Sequence, residues 1–571
     1  MHPIVPRRGA LLLVMSLVVV PAAFGQAPRA RSPRAASRAA PARRTTTAIT
    51  PADLRTRLFL LAHDSMGGRE PGSIGDYKAT DYIAAEFRRL GLEPAGEHGS
   101  FFQEVPFIRV RPDPATRLRA GGVELLPGRD LLVTGRPVPA RQFSQTATVF
   151  GGSVNDSTGW LPADSIAGRA VVLAVAPGPN ALRSLGALGA LLRNPRFAHA
   201  SLIAVAALDL LGPERVATLN AGRLTIDTTL YASAVPTVIV TPAAAEALLG
   251  RPLAGVAPGT AGRGVDGMLG FVRAPVEHPA RNVVAVLRGS DPRLRGQYVS
   301  LTAHNDHVGF DHAPVDHDSL RAYNRVVRPM GADSPLRPAT PDENVRIRAI
   351  LDSLRQRNPL RPDSIRNGAD DDGSGTASIL EIAERMAGER GRLGRSILFV
   401  SHTGEEYGLV GSGWFTDHPT VPRDSIVAEI DEDMIGRGTA SDLPDAGPTY
   451  LEVIGAKRLS REFGEQLEAA NAAQPRPFVF NYAYDAPGHP LQYYCRADHY
   501  NYARYSIPAV AFSRGEHLDY HQVTDEPQYI DYEDMARVSN MVHDAALRIA
   551  AMDHRPRLDA PKGDPHAVCR Q

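Results

Sequence analysis

Short apolar runs that end in polar clusters recur through the C-terminal half of the chain, and they constrain its fold most. "YVSLTAH" ends at His304, "SILFVSH" is soon followed by Glu405 and Glu406, and "AEIDED" reaches Asp433. Apolar residues at helical spacing, as in 376–387, separate these runs. Buried strands that alternate with helices predict an α/β sheet with helices on its faces. Ligands of such sheets bind beyond the carboxyl ends of the strands, where these polar residues fall.

Three adjacent aspartates, Asp370, Asp371 and Asp372, open the helical stretch in "NGADDDGSGTAS". Carboxylates this close raise one another's pKa values unless a cation neutralises them. A helix N-cap followed by acidic residues in the first turn is the alternative interpretation. Histidines among carboxylates suit zinc, whereas magnesium and calcium prefer oxygen ligands alone. Because four polar clusters fall at strand or helix ends, we favour a metal site.

The N-terminus, "PRRGALLLVMSLVVVPAAFG", has two arginines, an apolar run and a small-residue pattern. This arrangement predicts a secretory signal peptide and export to the periplasm or the medium, by the general or the twin-arginine route. An uncleaved membrane anchor is the alternative, but no later run is long enough to span a bilayer. The two cysteines, Cys495 and Cys569, can pair in an exported protein, and the sequence leaves their pairing open.

Composition shifts divide the 571 residues into segments. The formal net charge is zero, which argues against nucleic acid or an acidic membrane as a partner. Residues 126–274 are poor in acidic residues and histidine, and they carry strand signals of their own, which predicts an inserted α/β module. The predicted order is a signal peptide (1–25), a disordered leader (26–48), a main domain (49–125 and 275–555) with the inserted module (126–274) and a long insertion (311–366), and a C-terminal tail (556–571).

Six ordered motifs resemble those of the two-zinc exopeptidase family of bacterial leucyl aminopeptidase, aminopeptidase S and aminopeptidase Y. They are "TAHNDHVG", "NGADDDGSGTASILEIAE", "SHTGEEYGLVGSGWF", "IDEDMIGR", "RADHYNYARYSIPAVAF" and "DYHQVTDEP". Glutamate carboxypeptidase and the transferrin receptor are relatives of that family. The resemblance covers roughly 50–125 and 275–550, and it implies a mixed β-sheet sandwiched by helices. The inserted module resembles the protease-associated domain that members of the family often carry.

The resemblance implies two zinc ions per chain and a role for each matching residue. His304 and Asp433 would bind the first zinc, and Asp371 would bridge both ions. Glu405 would be the general base that takes a proton from the zinc-activated water and delivers it to the leaving amine. Glu406 and His521 would bind the second zinc. Asp306 would support the site by accepting a hydrogen bond from the other ring N–H of His304.

Other residues near the motifs receive different interpretations. We do not expect His307 to be a direct ligand, although it lies three residues after His304. Asp498 and His499 are interpreted as structural or adjacent to the substrate. Tyr494 lies where a tyrosine of some relatives hydrogen-bonds the developing oxyanion, although Tyr493 competes for that role. Asp370 and Asp372 are expected to shape the turn, to cap the helix or to support the ligands.

The expected activity is that of an exported aminopeptidase acting on peptides. The long insertion at 311–366 could form a lid and restrict the substrate. A carboxypeptidase or dipeptidase on the same fold remains an alternative, because arginines that could hold a terminal carboxylate lie near the motifs: Arg437, Arg496, Arg504 and Arg514. A one-metal enzyme like glutaminyl cyclase, or a binding protein like the transferrin receptor, is disfavoured because all the ligand positions hold metal-binding residue types.

Overall fold

The computed structural model describes residues 45–176, 194–356, 360–438 and 447–571. From Thr45 to Gln571 the chain forms one compact unit. The predicted signal peptide and all but the last residues of the predicted leader lie outside the described residues. The described α-helices are α1 (Pro51–Leu61), α2 (Ile74–Arg89), α3 (Ala163–Ile166), α4 (Pro213–Ala221), α5 (Pro242–Leu249), α6 (His317–Val327), α7 (Pro341–Arg355), α8 (Gly373–Gly388), α9 (Val410–Asp417), α10 (Arg461–Ala472), α11 (His499–Ala503) and α12 (Tyr532–Ala551).

The strands belong to four sheets of very different size. In chain order they are β1 (Glu93–Pro94), β2 (Phe102–Val105), β3 (Ile108–Pro112), β4 (Arg117–Ala120), β5 (Val123–Leu125), β6 (Leu131–Thr134), β7 (Arg141–Ser153), β8 (Ala170–Ala174), β9 (Leu202–Ala206), β10 (Arg223–Thr225), β11 (Thr237–Val240), β12 (Ala261–Leu269), β13 (Phe271–Pro275), β14 (Ala280–Leu287), β15 (Tyr298–His304), β16 (Phe310–Asp316), β17 (Pro362–Ile365), β18 (Ser396–His402), β19 (Ile426–Glu432), β20 (Tyr450–Ile454), β21 (Val479–Asn481) and β22 (Ala509–Ser513).

The main sheet has nine strands in the order β1-β14-β18-β15-β19-β22-β20-β21, with β2 also paired to β14. Its centre, β18-β15-β19-β22, is parallel, and β14 and β20 flank that centre in antiparallel pairing. Every residue of β15, β18 and β19 is buried, as their continuous apolar runs predict for strands covered on both faces. The carboxyl ends of the four central strands therefore share one edge.

Helices cover both faces of the main sheet. Helices α1, α2, α8, α10 and α12 contribute to one hydrophobic cluster, in which Leu58, Phe87 and Ile379 are fully buried. Helices α9 and α11 contribute Phe415 and Tyr502 to a second cluster on the other face. The prediction of a mixed α/β sheet sandwiched by helices is confirmed.

A second, eight-stranded sheet has the order β5-β4-β12-β7-β8-β9-β11-β6 and holds its own hydrophobic core. Helix α5 packs on it through Leu248 and Leu249. This sheet takes its first strand at Arg117–Ala120, upstream of the start at 126 predicted for the inserted module. A third, short sheet has the order β10-β3-β13. Its strands β3 and β13 lie just before and just after the strands of the second sheet in the sequence. The division into domains and the likeness to a protease-associated domain stay predictions.

The long insertion folds into two helices, α6 and α7, framed by the small β16–β17 sheet. Thr340 and Glu343 form a capping box at the start of helix α7. The insertion bonds to the loop after β22. Arg321 donates to Asp519 at 3.0 and 2.9 Å, Asn324 donates to the carbonyl of Leu518 at 3.0 Å, and the N–H of Ala332 donates to the carbonyl of Tyr520 at 3.0 Å.

Cys495 and Cys569 form a disulfide with their Cα atoms 5.9 Å apart, which answers the question that the sequence leaves open. The bond ties the C-terminal tail to the turn Tyr493–Cys495. Within the described part of the chain, none of the helices combines the length and the apolar character needed to cross a membrane.

Candidate metal centre

The carboxyl edge of the main sheet gathers the polar clusters predicted from the sequence. His304 is the last residue of β15, Glu405 and Glu406 follow β18, and Asp433 follows β19. The loop after β22 brings in His521, which is distant in sequence from the others. The three aspartates lie just before the start of α8, and this helix packs against β15 and β19.

Asp372 is the N-cap of α8 and also ties two strands together. Its carboxylate accepts from the N–H of Gly375 at 2.8 Å, as an N-cap does. It also accepts from the N–H groups of His304 at 3.1 Å and Met434 at 3.2 Å. The prediction that Asp372 caps the helix is confirmed, and three backbone donors leave it little capacity to bind a metal ion.

Asp370 also serves the local structure. Its carboxylate accepts from the N–H of Gly436 at 2.7 Å and lies 3.1 Å from Nε2 of His517. The backbone N–H groups of Asp370 and Asp371 donate to the buried carboxylate of Asp525 at 3.0–3.2 Å. These bonds fix the turn, so that only the middle aspartate has a side chain free of backbone donors in the described contacts.

Asp371 lies between the two groups of candidate ligands. One carboxylate oxygen is 3.1 Å from Nε2 of His304, and the other is 2.9 Å from Nε2 of His521. A bridging carboxylate needs one oxygen toward each metal ion, and Asp371 has this orientation. Its assignment as the bridge stays a prediction that this geometry supports.

The candidate ligands of the second ion form one tight cluster. Ligand atoms of His307, Asp371, Glu406 and His521 all lie within 4.8 Å of one another. Nε2 of His521 is 2.8 Å from Glu406, and Nδ1 of His307 is 2.6 Å from the other oxygen of that carboxylate. Sequence reasoning set His307 aside, but the structure brings it into the cluster. The signal was available, because His307 follows the same strand end as His304.

The candidate ligands of the first ion are more widely spaced. Ligand atoms of His304, Asp372 and Asp433 lie within 4.8 Å of one another. Nε2 of His304 is 3.7 Å from Asp433. Because Asp372 is occupied by backbone donors, His304, Asp433 and the near oxygen of Asp371 are the available ligands.

Several of these atoms approach one another without forming hydrogen bonds. In the described part of the chain, Nε2 of His304, both ring nitrogens of His307, and an oxygen each of Asp371, Glu406 and Asp433 are buried without a hydrogen-bond partner. Buried polar atoms are rarely left unpaired. Unpaired nitrogen and carboxylate ligands that converge on one space, with no sulfur among them, fit zinc ions.

Burial and mutual repulsion perturb the acids of this edge strongly. Burial raises the pKa of Glu405 well above its usual range, and the carboxylates of Asp433 and Glu406 raise it further. Burial opposes ionisation of Asp371, but the imidazoles of His304 and His521 hold its pKa well below its usual range. Metal ions would take over that compensation from the imidazole protons.

Glu405 faces the cavity beside the ligands. Its carboxylate lies 3.9 Å from Nε2 of His304, and its N–H donates to the carboxylate of Asp306 at 3.2 Å. Nδ1 of His304 lies 3.2 Å from the carbonyl oxygen of Asp306 and 3.5 Å from its carboxylate. Asp306 therefore contacts both the candidate base and a candidate ligand, and either of its oxygens could orient the imidazole.

The cavity that borders the ligands is lined on its far side by polar residues of β20, β22 and the loops that follow. Tyr493, Arg496 and Tyr520 line it together with Asp371 and Glu405. Tyr494 packs instead against His499 and Tyr500 in a hydrophobic cluster, and the hydroxyl of Tyr493 donates to Glu516, so the geometry favours Tyr520 as a donor to substrate.

Asp498 and His499 serve the scaffold, as the sequence suggests. Asp498 accepts from the hydroxyl of Ser412, and the N–H of His499 donates to Asp431 at 3.3 Å. Burial lowers the pKa of His499 to about 3, so its imidazole is neutral. Both residues lie beneath the ligand layer and connect β19 to α9 and α11.

One segment of the chain matches a known protein family. Residues 334–546 match the sequence model of peptidase family M28. For this segment, that match confirms the prediction of a peptidase. No curated protein matches the chain in sequence.

Solved structures similar to this chain include three bacterial proteins. An aminopeptidase from Aneurinibacillus sp. strain AM-1 is 15% identical, with 90% of this chain and 96% of the other covered and a TM-score of 0.45. A zinc aminopeptidase from Bacillus subtilis is 15% identical, with 88% and 95% covered and a TM-score of 0.45. A peptidase M28 precursor from Shewanella amazonensis SB2B is 16% identical, with 90% and 96% covered and a TM-score of 0.40.

Proposed function

We propose that this protein is an exported zinc-dependent aminopeptidase that removes N-terminal residues from peptides. The observation that carries the proposal is the position of Asp371. Its two oxygens face two groups of unpaired ligands beside Glu405, and Asp371 itself lies in the segment that matches a peptidase family. The proposed ligands of two zinc ions are His304, Asp371, Glu406, Asp433 and His521.

The bound zinc ions would polarise the scissile carbonyl and acidify a water molecule. Glu405 would accept the proton of that water and pass it to the leaving amine, since its carboxylate faces the cavity and its pKa is raised by burial. Asp306 would hold both Glu405, through its backbone N–H, and the imidazole of His304 in place. Tyr520 lines the cavity and could donate to the substrate.

The contacts of the four arginines favour an aminopeptidase over a carboxypeptidase. Arg437 is buried and donates to Asp519 at 3.0 Å, Arg504 donates to Asp417 at 2.6 Å, and Arg514 is buried against backbone carbonyls and Asp534. Arg496 lines the cavity, but it pairs with Asp333 at 3.0 Å and Glu516 at 3.7 Å. An arginine neutralised in this way is a poor receptor for a terminal carboxylate.

Export is part of the proposal and is supported by the N-terminal sequence and by the disulfide between the two cysteines. We expect N-terminal sequencing of the protein from its native compartment to begin near residue 26. A mature chain that begins at Met1, or a cell fraction in which both cysteines are free thiols, would contradict this part.

A matched pair of substrates tests the activity. We expect hydrolysis of aminoacyl nitroanilides and of free-amine peptides, and none of the same peptides with a blocked N-terminus. A zinc chelator should abolish the activity, and added zinc should restore it. Hydrolysis of the blocked peptides from their C-terminus would instead support a carboxypeptidase. A folded, zinc-loaded protein that is inactive on all of them would support a binding role.

A further inference from the structure

The cavity beside the candidate ligands has a floor made by one face of β20 and β22. These strands pair antiparallel, with Glu452 opposite Ser513. Because side chains alternate along a strand, Glu452 and Ile454 face the cavity while Leu451 and Val453 enter the hydrophobic core. The carboxyl group of Glu452 thus lies on the floor of the cavity.

Glu452 is nearly inaccessible, with 2% of its surface exposed. The hydroxyl of Tyr450 donates to one carboxylate oxygen at 2.6 Å. Burial raises the pKa of Glu452 to about 8, and the hydroxyl of Tyr450 opposes that rise in part. An ionised carboxylate at this depth needs a cation beside it.

The described residues around the cavity do not supply enough positive charge. Glu516, which is 6% exposed, also lines the cavity and accepts from the hydroxyl of Tyr493. Arg496 is the basic side chain of the lining, and it lies 3.7 Å from Glu516 and 3.0 Å from Asp333. The guanidinium of Arg496 therefore pairs with two carboxylates already, and no ion pair to Glu452 is present among the described residues.

We propose that Glu452 and Glu516 select a cationic side chain, lysine or arginine, on the N-terminal residue of the substrate. The aliphatic part of such a side chain would pass Ile454, Met434 and Ala511, which line the cavity between the ligands and Glu452. The ammonium or guanidinium group would then meet the two carboxylates and complete their charge balance. This inference rests on the proposed aminopeptidase function and names its substrate class.

The test compares kcat/KM for lysyl, arginyl, leucyl and glutamyl nitroanilides. We expect the lysyl and arginyl substrates to exceed the leucyl substrate by about tenfold or more, because a buried charge-assisted hydrogen bond discriminates by that factor. In Glu452→Gln, which keeps the shape of the side chain, the lysyl-to-leucyl ratio should fall about tenfold. Glu516→Gln should lower the same ratio and serves as a second variant if the first fails to fold.

Glu468→Gln is the matched control, since Glu468 lies on α10 outside the cavity and pairs with Lys457. Its lysyl-to-leucyl ratio should equal that of the wild type. Thermal unfolding of each variant separates a loss of fold from a loss of selectivity.

The pH dependence gives an independent readout. The ionisable groups beside Glu452 and Glu516 are Tyr450, Tyr493, Arg496 and Asp333, and the two glutamates also interact with each other. Tyr450, Tyr493 and Arg496 keep their charge state between pH 6 and 9. Burial also raises the pKa of Glu516. Glu452 is protonated in the free pocket below about pH 8 and ionised above it. The lysyl-to-leucyl ratio should therefore rise from pH 6 to 9, while titration of the α-amino group cancels between the two substrates. In Glu452→Gln the rise should become smaller, and in the double variant Glu452→Gln/Glu516→Gln it should disappear.

The outcomes are distinguishable. A leucyl preference in the wild type, or an unchanged lysyl-to-leucyl ratio in both cavity variants, would overturn this inference and leave the aminopeptidase function standing. A glutamyl preference would overturn it in favour of Arg496 as the selecting group. Failure to cleave any of the four substrates, with zinc bound, would overturn the aminopeptidase function and this inference with it.

Discussion

The two large sheets have similar centres and different edges. In both, consecutive parallel strands of buried aliphatic residues form the middle: β18, β15 and β19 in the main sheet, and β8, β9 and β11 in the second. Beyond β9 lie Ala207 and Leu208, both buried, whereas beyond β18 lie Glu405 and Glu406. The fold creates a carboxyl edge twice, and in the described part of the chain the candidate ligands converge on the edge of the main sheet.

Two helix caps show the same contrast at a single position. Thr241 follows β11, and its hydroxyl accepts from the N–H of Ala244 at 3.1 Å, which caps the start of α5. This hydroxyl makes no other hydrogen bond among the described contacts. Asp372 starts α8 with the equivalent bond to Gly375 and also bonds the backbone of β15 and of the residue after Asp433. A local capping signal thus becomes part of the candidate site where the neighbouring strands carry ligands.

The largest expected effect comes from Glu405→Gln, which removes the proposed base but keeps its shape. We expect kcat to fall by about 10²–10⁴, the range typical of lost general-base catalysis. Zinc content, measured by metal analysis, should stay at the wild-type value because Glu405 is not a proposed ligand. Full activity in this variant would contradict the proposal that Glu405, at the carboxyl edge of the main sheet, is the general base.

Removal of metal should affect one sheet and spare the other. Chelation leaves the buried carboxylates around Asp371 uncompensated, and it removes a ligand that stabilises the folded state by about 4 kcal/mol at a thousandfold excess over Kd. Hydrogen exchange should speed up in the loops after β15, β18 and β22, while amides of β8 and β9 keep their wild-type rates. Uniform acceleration across both sheets would contradict a metal site confined to the main sheet.

How far the sequence predicts this edge depends on the range of the contacts. The strands that carry His304, Glu406 and Asp433 are continuous apolar runs, so their burial and direction follow from local pattern. The capping role of Asp372 is equally local. The sequence places His307 after the same strand end as His304, but its approach to Glu406 also depends on loop geometry, which includes a bond from its N–H to the carbonyl of Arg69 at 3.1 Å. The position of Glu452 at the cavity could not be predicted from the sequence. The sequence of its strand resembles that of other strands, and only the folded structure shows that the strand borders the cavity.

The insertion predicted as a lid bonds to the loop that carries His521. We therefore expect a change in the insertion to have an intermediate effect on zinc affinity. Arg321 of α6 and Arg437 both donate to Asp519, and these arginines hold the pKa of Asp519 at about 2 against the opposing effect of burial. Asp519 thus stays ionised at any working pH, and the ion pairs persist. Arg321→Met should lower zinc affinity by about 10–100-fold, the usual cost of losing a residue that supports a ligand.

Arg325→Met is the control for that experiment, because Arg325 lies one turn later on α6 and is exposed. Competition with a fluorescent chelator measures the affinity, and Arg321→Lys should recover part of it. Equal zinc affinity in Arg321→Met and Arg325→Met would show that the insertion only covers the loop and does not position His521.

The smallest expected effect lies in the second sheet and sharpens the comparison of caps. Thr241→Ala removes the N-cap of α5 and should lower the free energy of unfolding by about 1 kcal/mol. Because the second sheet carries no ligands at this edge among the described residues, kcat/KM should stay within about twofold of wild type.

Asp372→Ala removes the same kind of cap at α8, but it should also reduce zinc content, since the N–H groups of His304 and Met434 lose their acceptor. Denaturant unfolding and metal analysis of the two variants measure both quantities. Equal zinc content in both would mean that the cap of α8 is as separable from the site as the cap of α5.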